Sequence, residues 1–202
     1  MPPNYALRRT RKGTGLLPPN PKRWEQEHNA LDLRHELALE LDVRLPHIAA
    51  YGLLGDVSVC SDTILPLEPQ HVGHFSGHRS NKWSGMCIPC DDGHTLVVYN
   101  GAHPDRRVRA TLMEEFFHLW LEHRPDRLRM FSNGQGRRDF DAGKEADAYG
   151  SGAAALVPYK ALRARLAQGH SIREIADHFL VSERMVEFRM RVSRLARVTR
   201  RA

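Results

Sequence analysis

Residues 109–123 constrain the fold of this chain more than any other part of its sequence. Apolar residues recur there at helical spacing around Glu114 and His118, which are four positions apart. Side chains at positions i and i+4 of a helix lie one above the other, so a carboxylate and an imidazole in this arrangement can share one metal ion. Glu115 can then reach a water molecule beside that ion. The segment therefore predicts a helix with a metal-binding face, which needs at least one further ligand from another element.

Bulk composition predicts an ordinary globular protein. The chain has 202 residues, of which 41% are hydrophobic, enough for one domain with a small appendage. We find no apolar run that could span a bilayer, and residues 1–15 lack the apolar core of a secretory signal. Three cysteines are consistent with a reducing compartment. We therefore expect a cytoplasmic protein with no membrane contact.

Proline, glycine and charge divide the chain into three predicted regions. Residues 1–23 combine basic residues with several prolines and glycines, which predicts a disordered arm. The net charge is +6 over residues 1–24, −7 over residues 25–158 and +7 over residues 159–202. Basic ends favour contact with nucleic acid or an acidic partner, although a solvated tail and a solvated helix face explain them equally well.

Hydrophobic periodicity predicts the α+β class: a mainly helical domain with a small sheet over residues 24–158, followed by a small helical module over residues 159–202. In the first domain we expect a long helix that ends before Pro46, and a second helix whose small residues allow close packing. In the module we expect three short helices, two of which begin after N-caps at Ser171 and Ser182. The predicted helices span residues 24–45, 109–123, 139–156, 159–168, 172–179 and 182 onward, and the predicted strands span residues 56–60 and 95–99.

The second long helix offers two acidic residues that could complete the metal site. Glu145 and Asp147 both lie on it, and the spacing alone does not choose between them. The run from Asp147 to Pro158 decides between them, and its small residues are expected to allow close helix packing. A run rich in Ala and Gly lets two helix backbones approach closely, which would bring one of these carboxylates towards His118.

Three stretches together resemble the ImmA/IrrE-type regulatory metallopeptidases. Residues 96–112 look like the strand, turn and Arg-containing approach to that family's metal helix, and residues 113–118 stand where the family has H-E-x-x-H. Residues 147–158 look like its segment that begins with a ligand Glu and closes with Pro. The resemblance covers roughly residues 24–190 and implies a zincin-like core that binds one divalent metal ion.

The resemblance also implies a role for each residue of the site. Glu114 stands where the family has its first His ligand, His118 is the second ligand, and Asp147 takes the place of the ligand Glu, with Glu145 as the alternative. Glu115 would be the catalytic base. Two carboxylates and one imidazole form a harder ligand set than two imidazoles and one carboxylate, so manganese is expected beside zinc as the metal. The candidates for stabilising the oxyanion are His103, His123 and Tyr149.

The activity implied is that of an endopeptidase that cleaves a regulatory protein, often a helix-turn-helix repressor. An alternative is a non-catalytic DNA- or protein-binding regulator built on a degenerate metallopeptidase fold, because two ligands differ from the family pattern. A second, structural metal site is a further alternative, since C-x2-C spacing suggests zinc. Its possible ligands are Cys87, Cys90 and His94, with His71, His74 and His78 upstream.

Residues 171–192 resemble a helix-turn-helix and carry the basic character of the C-terminal module. Its second helix is predicted to expose a row of arginines, which could contact DNA phosphates or a partner protein. The alternative is that this module is a packing and docking element. The arginines predicted to bind are Arg184, Arg189, Arg191 and Arg194.

Overall fold

The fold is known from a computed structural model that describes most of the chain. The described residues are 20–65, 83–123, 128–130, 136–138 and 141–195. Residues 1–19 of the predicted arm lie outside them, as do His71, His74 and His78 and the C-terminal residues 196–202. No helix within the described residues combines the length and the apolar character that crossing a bilayer requires.

Helix α1 spans Pro21–Glu36 and begins at Asn20, whose side chain accepts a hydrogen bond from the Arg23 backbone N–H. The predicted continuation of this helix to residue 45 is wrong. Arg34 is buried, and its guanidinium donates to the backbone oxygens of Glu40 and Val43. These bonds hold residues 37–45 as a loop against the helix that they were expected to extend. A short helix, α2, follows at His47–Ala50.

A three-stranded sheet lies beside the helices. Strand β1, Val57–Ser61, runs parallel to the central strand β3, Thr95–Tyr99, and β2, Gly85–Pro89, pairs antiparallel with β3 on its other side. The sequence predicted β1 and β3 but not β2, whose short run starts with glycine and ends with proline. A second antiparallel pair joins β4, Leu128–Met130, to β5, Gly136–Arg138. With the helices, these strands confirm the α+β class.

Two long helices form the centre of the molecule. Helix α3 spans Asp105–Trp120, and α4 spans Ala142–Leu156. A Cβ atom placed on Gly152 of α4 would lie 3.0 Å from the backbone carbonyl of Met113, so the two helix backbones are in near contact there. The prediction that small residues permit close packing is therefore confirmed. Helix α1 packs on α4 in the same way, with the Gln26 side chain against Gly150.

Three short helices complete the described chain: α5, Tyr159–Ala167; α6, Ile172–Phe179; and α7, Glu183–Val192. The predicted N-caps are confirmed, because the Ser171 and Ser182 side chains accept from the backbone N–H groups of Glu174 and Met185. Buried residues of α5, α6 and α7 belong to the same hydrophobic core as those of α1, α3 and α4. The domain boundary at residue 158 stays a prediction, and the two sides of it share this core.

The exposure predicted for Arg189 is wrong. This residue lies on α7 with only 2% of its surface exposed. Its guanidinium pairs with the buried carboxylate of Glu27 on α1, and its Nε donates to the Val157 backbone oxygen at 2.9 Å. The other carboxylate oxygen of Glu27 accepts from the Tyr159 backbone N–H. Arg189 therefore fastens α7 to the core.

Candidate metal centre

Helix α3 presents its polar residues at the edge of the core. Its apolar side buries Leu112, Met113, Phe116 and Phe117 completely, as expected for an amphipathic helix. Glu114, Glu115 and His118 lie between these apolar residues in the sequence and are half-buried at the edge of the core. The face predicted from the i, i+4 spacing is thus formed, and the first turn of α4 lies next to it.

The imidazole of His118 lies between a carboxylate and a second imidazole. Its Nε2 is 3.5 Å from Oε2 of Glu145, which is in the first turn of α4. Its Nδ1 is 3.2 Å from Nδ1 of His123, just beyond the end of α3. Burial, His118 and Lys144 lower the pKa of the His123 imidazole, in that order of importance. The His118 ring therefore has a partner at each nitrogen.

Glu114 is the most perturbed acid of the site. Burial, followed by the neighbouring carboxylates of Glu115 and Glu145, raises its pKa to about 8. In the described part of the chain, no lysine or arginine forms an ion pair with Glu114 or Glu145. Carboxylates that crowd together without a cation between them repel one another, and a bound divalent cation would remove that repulsion.

Strand β2 lies directly against Glu115. The Cys87 Sγ donates to Oε2 of Glu115 at 3.2 Å. A Cβ atom on Gly85, two residues earlier on the same face of β2, would lie 2.6 Å from Cγ2 of Thr111 and 3.3 Å from Oε1 of Glu115. Only glycine at this position lets the strand approach the helix so closely. The strand therefore fixes the side of α3 on which the Glu115 carboxylate lies.

The carboxylate of Asp147 faces α1. Its Oδ1 lies 3.0 Å from Nζ of Lys22 and accepts from Nε2 of Gln26 at 3.0 Å. The structure thus brings Glu145 next to His118 and gives Asp147 two partners on another helix. Asp147 as the third ligand stays a prediction, and Glu145 is the acid that lies beside the imidazole.

The side chains present fit a divalent cation by their chemistry. Half-buried carboxyl groups and one imidazole are a suitable donor set for zinc or manganese. Within the described residues, no three His, Cys, Asp or Glu side chains lie close enough together to hold an ion as they stand. The nearest arrangement is the pair His118–Glu145 with Glu114 one turn earlier on α3.

The other predicted candidates occupy separate places. Tyr149 lies one turn after Glu145 on α4, and its ring packs edge-on against Phe188 with centroids 5.0 Å apart. Burial and the charge of Glu114 raise the pKa of its phenol. His103 is buried in the turn before α3, where its Nε2 is 3.4 Å from the side-chain nitrogen of Asn100.

Cys87 and Cys90 differ in their surroundings. The Cys87 thiol faces Glu115, whereas Cys90 is exposed with its Sγ 3.8 Å from the Ile88 backbone oxygen. No metal-binding cluster contains either of them among the residues that the structure describes. The C-x2-C spacing suggested Cys87 as a zinc ligand and gave no indication of its contact with Glu115. The sequence feature that could have indicated this contact is the i, i+2 spacing of Gly85 and Cys87, which places both residues on one face of a strand.

The remaining arginines of the C-terminal module are on the surface. Arg184, Arg191 and Arg194 are exposed, and the Arg191 guanidinium lies 5.6 Å from the ring centroid of Phe188. Glu183 and Glu187 are exposed on the same helix. The accessible surface of α7 therefore carries both signs of charge.

Comparison with models of protein families gives one finding for this chain. Residues 61–191 match the peptidase M78 family, which is described as an IrrE N-terminal-like domain. The match begins at the end of β1 and continues into α7, so it contains Glu114, Glu115, His118 and Glu145. No curated protein and no solved structure shows significant similarity to the chain.

Proposed function

The chain belongs to the peptidase M78 family of IrrE N-terminal-like domains, and on that basis we propose that it is a metal-dependent endopeptidase. The observation that carries this proposal is that Glu114, Glu115 and His118 lie on one helix beside Glu145 of the next, where burial and the neighbouring carboxylates raise the pKa of Glu114 to about 8. Strongly perturbed carboxylates at one place are typical of functional sites.

Glu114, His118 and Glu145 are the proposed ligands of one zinc or manganese ion, with Asp147 as the alternative to Glu145. When bound, such a cation supplies a Lewis acid that activates water and polarises the scissile carbonyl. The contacts of Asp147 with Lys22 and Gln26 are both made by its Oδ1.

Glu115 is the proposed catalytic base. Its carboxylate takes a proton from the attacking water and passes it to the leaving amine. The Cys87 thiol, which donates to Oε2, limits the rotation of this carboxylate. Burial and Glu114 raise the pKa of the Tyr149 phenol, so it stays protonated and can donate a hydrogen bond to a developing oxyanion.

The proposed substrate is a regulatory protein of the helix-turn-helix repressor type. This part of the proposal rests on the resemblance to the ImmA/IrrE-type proteins. We place the reaction in the cytoplasm, where such a repressor would be met.

Elemental analysis tests whether the centre binds metal. We expect about one equivalent of zinc or manganese in protein purified without chelator, and its loss in Glu114→Ala and His118→Ala. Glu145→Gln and Asp147→Asn are matched isosteric variants that identify the third ligand, and we expect only Glu145→Gln to lose metal. Retention of metal in Glu145→Gln with loss in Asp147→Asn would move the assignment to Asp147.

Co-expression with candidate repressors tests the reaction itself. We expect cleavage by the wild-type chain and none by Glu115→Gln, which keeps the shape of the side chain but cannot accept the proton. Glu122→Gln, an exposed change on the same segment, is the control and should cleave normally. Cleavage that survives in Glu115→Gln would remove Glu115 from its proposed role.

A non-catalytic regulator is the second candidate function. Two observations favour it: no three donor side chains converge within the described residues, and α7 exposes Arg184, Arg191 and Arg194. This candidate predicts DNA affinity that falls with salt, and a wild-type chain that binds no stoichiometric metal. The metal analysis therefore separates the two candidates.

A further inference from the structure

We propose that His123 is a positioning residue for His118, and that it holds the His118 ring so that the Nε2 lone pair is available to a metal ion. The inference rests on the proposed function, because it concerns the metal affinity of the same site. It adds a residue that lies outside the set of ligands and does not itself touch the ion.

The end of α3 places His123 over His118. The chain turns through Glu122, whose φ of 53° lies in the left-handed region. The Glu122 N–H donates to the Leu119 oxygen at 3.0 Å, and the His123 N–H donates to the His118 oxygen at 2.9 Å. This pair of bonds is the Schellman motif, in which the residue after the left-handed one lies against the residue five positions earlier.

That contact is normally hydrophobic, but here it joins two imidazoles. The His118 and His123 rings meet edge to face with centroids 5.3 Å apart, and their Nδ1 atoms are 3.2 Å apart. The left-handed position is usually glycine, and a side chain there costs roughly 1 kcal/mol. Glu122 occupies it here, as Ala38, Leu180 and Arg194 do at other helix ends of this chain.

The distance between the two Nδ1 atoms requires a proton between them. Two lone pairs at 3.2 Å would repel, so one ring donates and the other accepts. When the His118 Nδ1–H donates to His123, the His118 Nε2 carries no proton and its lone pair faces the Glu145 side of the site. Metal-binding imidazoles are generally held in this way by an acceptor at the other ring nitrogen.

The test measures metal affinity in chelator-treated protein by competition for Zn²⁺ with a chromophoric chelator. His123→Phe keeps a ring of similar size but removes the acceptor, and we expect a loss of affinity of about 10- to 100-fold. His123→Asn places an amide oxygen near the position of Nδ1, and we expect it to restore most of the affinity. His35→Phe, at an exposed position near the end of α1, is the control and should bind as the wild type does.

A second readout does not depend on metal. Ring ¹⁵N chemical shifts of metal-free Glu145→Ala, which lacks the carboxylate that would hold a proton on Nε2, should show His118 mainly as the Nδ1–H tautomer, and adding His123→Phe should give a mixture. Circular dichroism confirms that each variant is folded. This measurement follows the hydrogen bond itself, which a purely structural role of the ring would not change.

The possible outcomes separate this inference from the proposed function. Wild-type protein that binds Zn²⁺ with the same affinity as His123→Phe overturns the inference and leaves the metallopeptidase intact. His123→Asn as weak as His123→Phe also overturns it, because the hydrogen bond would not be the cause. Wild-type protein that binds no Zn²⁺ sinks the proposed function, and the tautomer measurement then decides whether His123 orients His118.

Discussion

Ionisable side chains from neighbouring helices lie beside both ends of α4, and the two groups differ in how their charges are paired. Just after its last turn, Glu27 and Arg189 pair with each other and also bond to the backbone of Tyr159 and Val157. Beside its first turn, Glu114 is half-buried next to two further carboxylates, and their charges add to the cost of ionising it. At the C-terminal end the carboxylate and the guanidinium neutralise each other, whereas the three side chains at the N-terminal end are all carboxylic acids.

This difference separates a structural ion pair from a functional site. Satisfied buried charges give a rigid joint between α1 and α7 and leave nothing for a ligand to improve. Crowded carboxylates cost stability in the free protein, and a cation can recover that cost. The C-terminal end therefore holds the fold, and the N-terminal end is available for chemistry.

The largest effect is expected at the ion pair. Arg189→Met removes the cation and leaves the Glu27 carboxylate buried, which should destabilise the protein by about 3–5 kcal/mol. Urea unfolding followed by circular dichroism measures this loss. Arg184→Met, an exposed change on the same helix, is the control and should cost at most about 0.5 kcal/mol.

A double variant shows whether the loss comes from the unpaired charge. Combining Glu27→Gln with Arg189→Met removes both charges, and replacing a whole buried pair is often close to neutral. We expect the double variant to recover much of the stability that Arg189→Met loses. Equal unfolding midpoints for Arg189→Met and Arg184→Met would show that this pair does not hold α7 to the core.

The next effect concerns the pH dependence of the metal-free protein. The pKa of Glu114 is raised to about 8 in the folded state, above its ordinary value of 4.5. Between these two values the folded state holds a proton that the unfolded state has released, so stability is lost as the pH rises from about 4.5 to about 8. The loss should amount to a few kcal/mol, on the order expected for a shift of this size.

Glu114→Gln cannot ionise and should remove this loss. Unfolding free energies measured across that pH window in the presence of chelator should be flatter for Glu114→Gln than for the wild type. Glu122→Gln, at an exposed position, should follow the wild-type curve. Excess Zn²⁺ should reverse the wild-type loss at alkaline pH, and parallel curves for Glu114→Gln and the wild type would contradict the account of the site.

A smaller effect is expected where α3 and α4 touch. A valine at position 152 would push its Cβ against the Met113 backbone, which lies 3.0 Å from that position and cannot move aside as a side chain could. Overpacking of this kind costs about 1–3 kcal/mol. Because it also separates His118 from Glu145, Gly152→Val should weaken Zn²⁺ binding. Ala146→Val, at an exposed position of α4, tests the effect of a β-branched residue alone.

The sequence predicts those features that depend on near neighbours. Periodicity located α3, small residues indicated the close approach at Gly152, and Ser171 and Ser182 marked helix starts. Each of these follows from residues within one or two turns. The spacing of Glu114 and His118 likewise defined one side of the candidate site, because both residues lie on a single helix.

The features that escaped prediction depend on distant partners. Apolar residues continue at helical spacing beyond Glu36, yet the buried guanidinium of Arg34 bonds to backbone oxygens and ends the helix. Arg189 follows Met185 and Val186 at helical spacing and shares their buried face, but its partners there, Glu27, 162 positions away, and the Val157 oxygen, are distant in sequence. A motif gave Asp147 as a ligand, but only Lys22 and Gln26 on α1 show where its carboxylate points.

The smallest effect is expected on the exposed face of α7. Arg184→Gln combined with Arg191→Gln should change stability by less than about 0.5 kcal/mol, because both side chains are exposed. We also expect the wild type to bind DNA weakly and the double variant to bind it almost equally well, since Glu183 and Glu187 on the same helix oppose phosphate contacts. Fluorescence anisotropy of a labelled duplex over a range of salt concentrations measures the DNA affinity of both proteins.

The salt dependence distinguishes the two functions proposed for the chain. Each arginine that contacts a phosphate contributes about one to the slope of log affinity against log salt, so the double change should lower the slope by about two if both bind. Glu183→Gln combined with Glu187→Gln is the matched control and should raise a purely electrostatic affinity. A slope reduced by two, together with absence of bound metal, would show that α7 is the functional surface and that Glu114, Glu115 and Glu145 no longer form a metal site. An unchanged slope leaves α7 as part of the packed core to which Arg189 joins it.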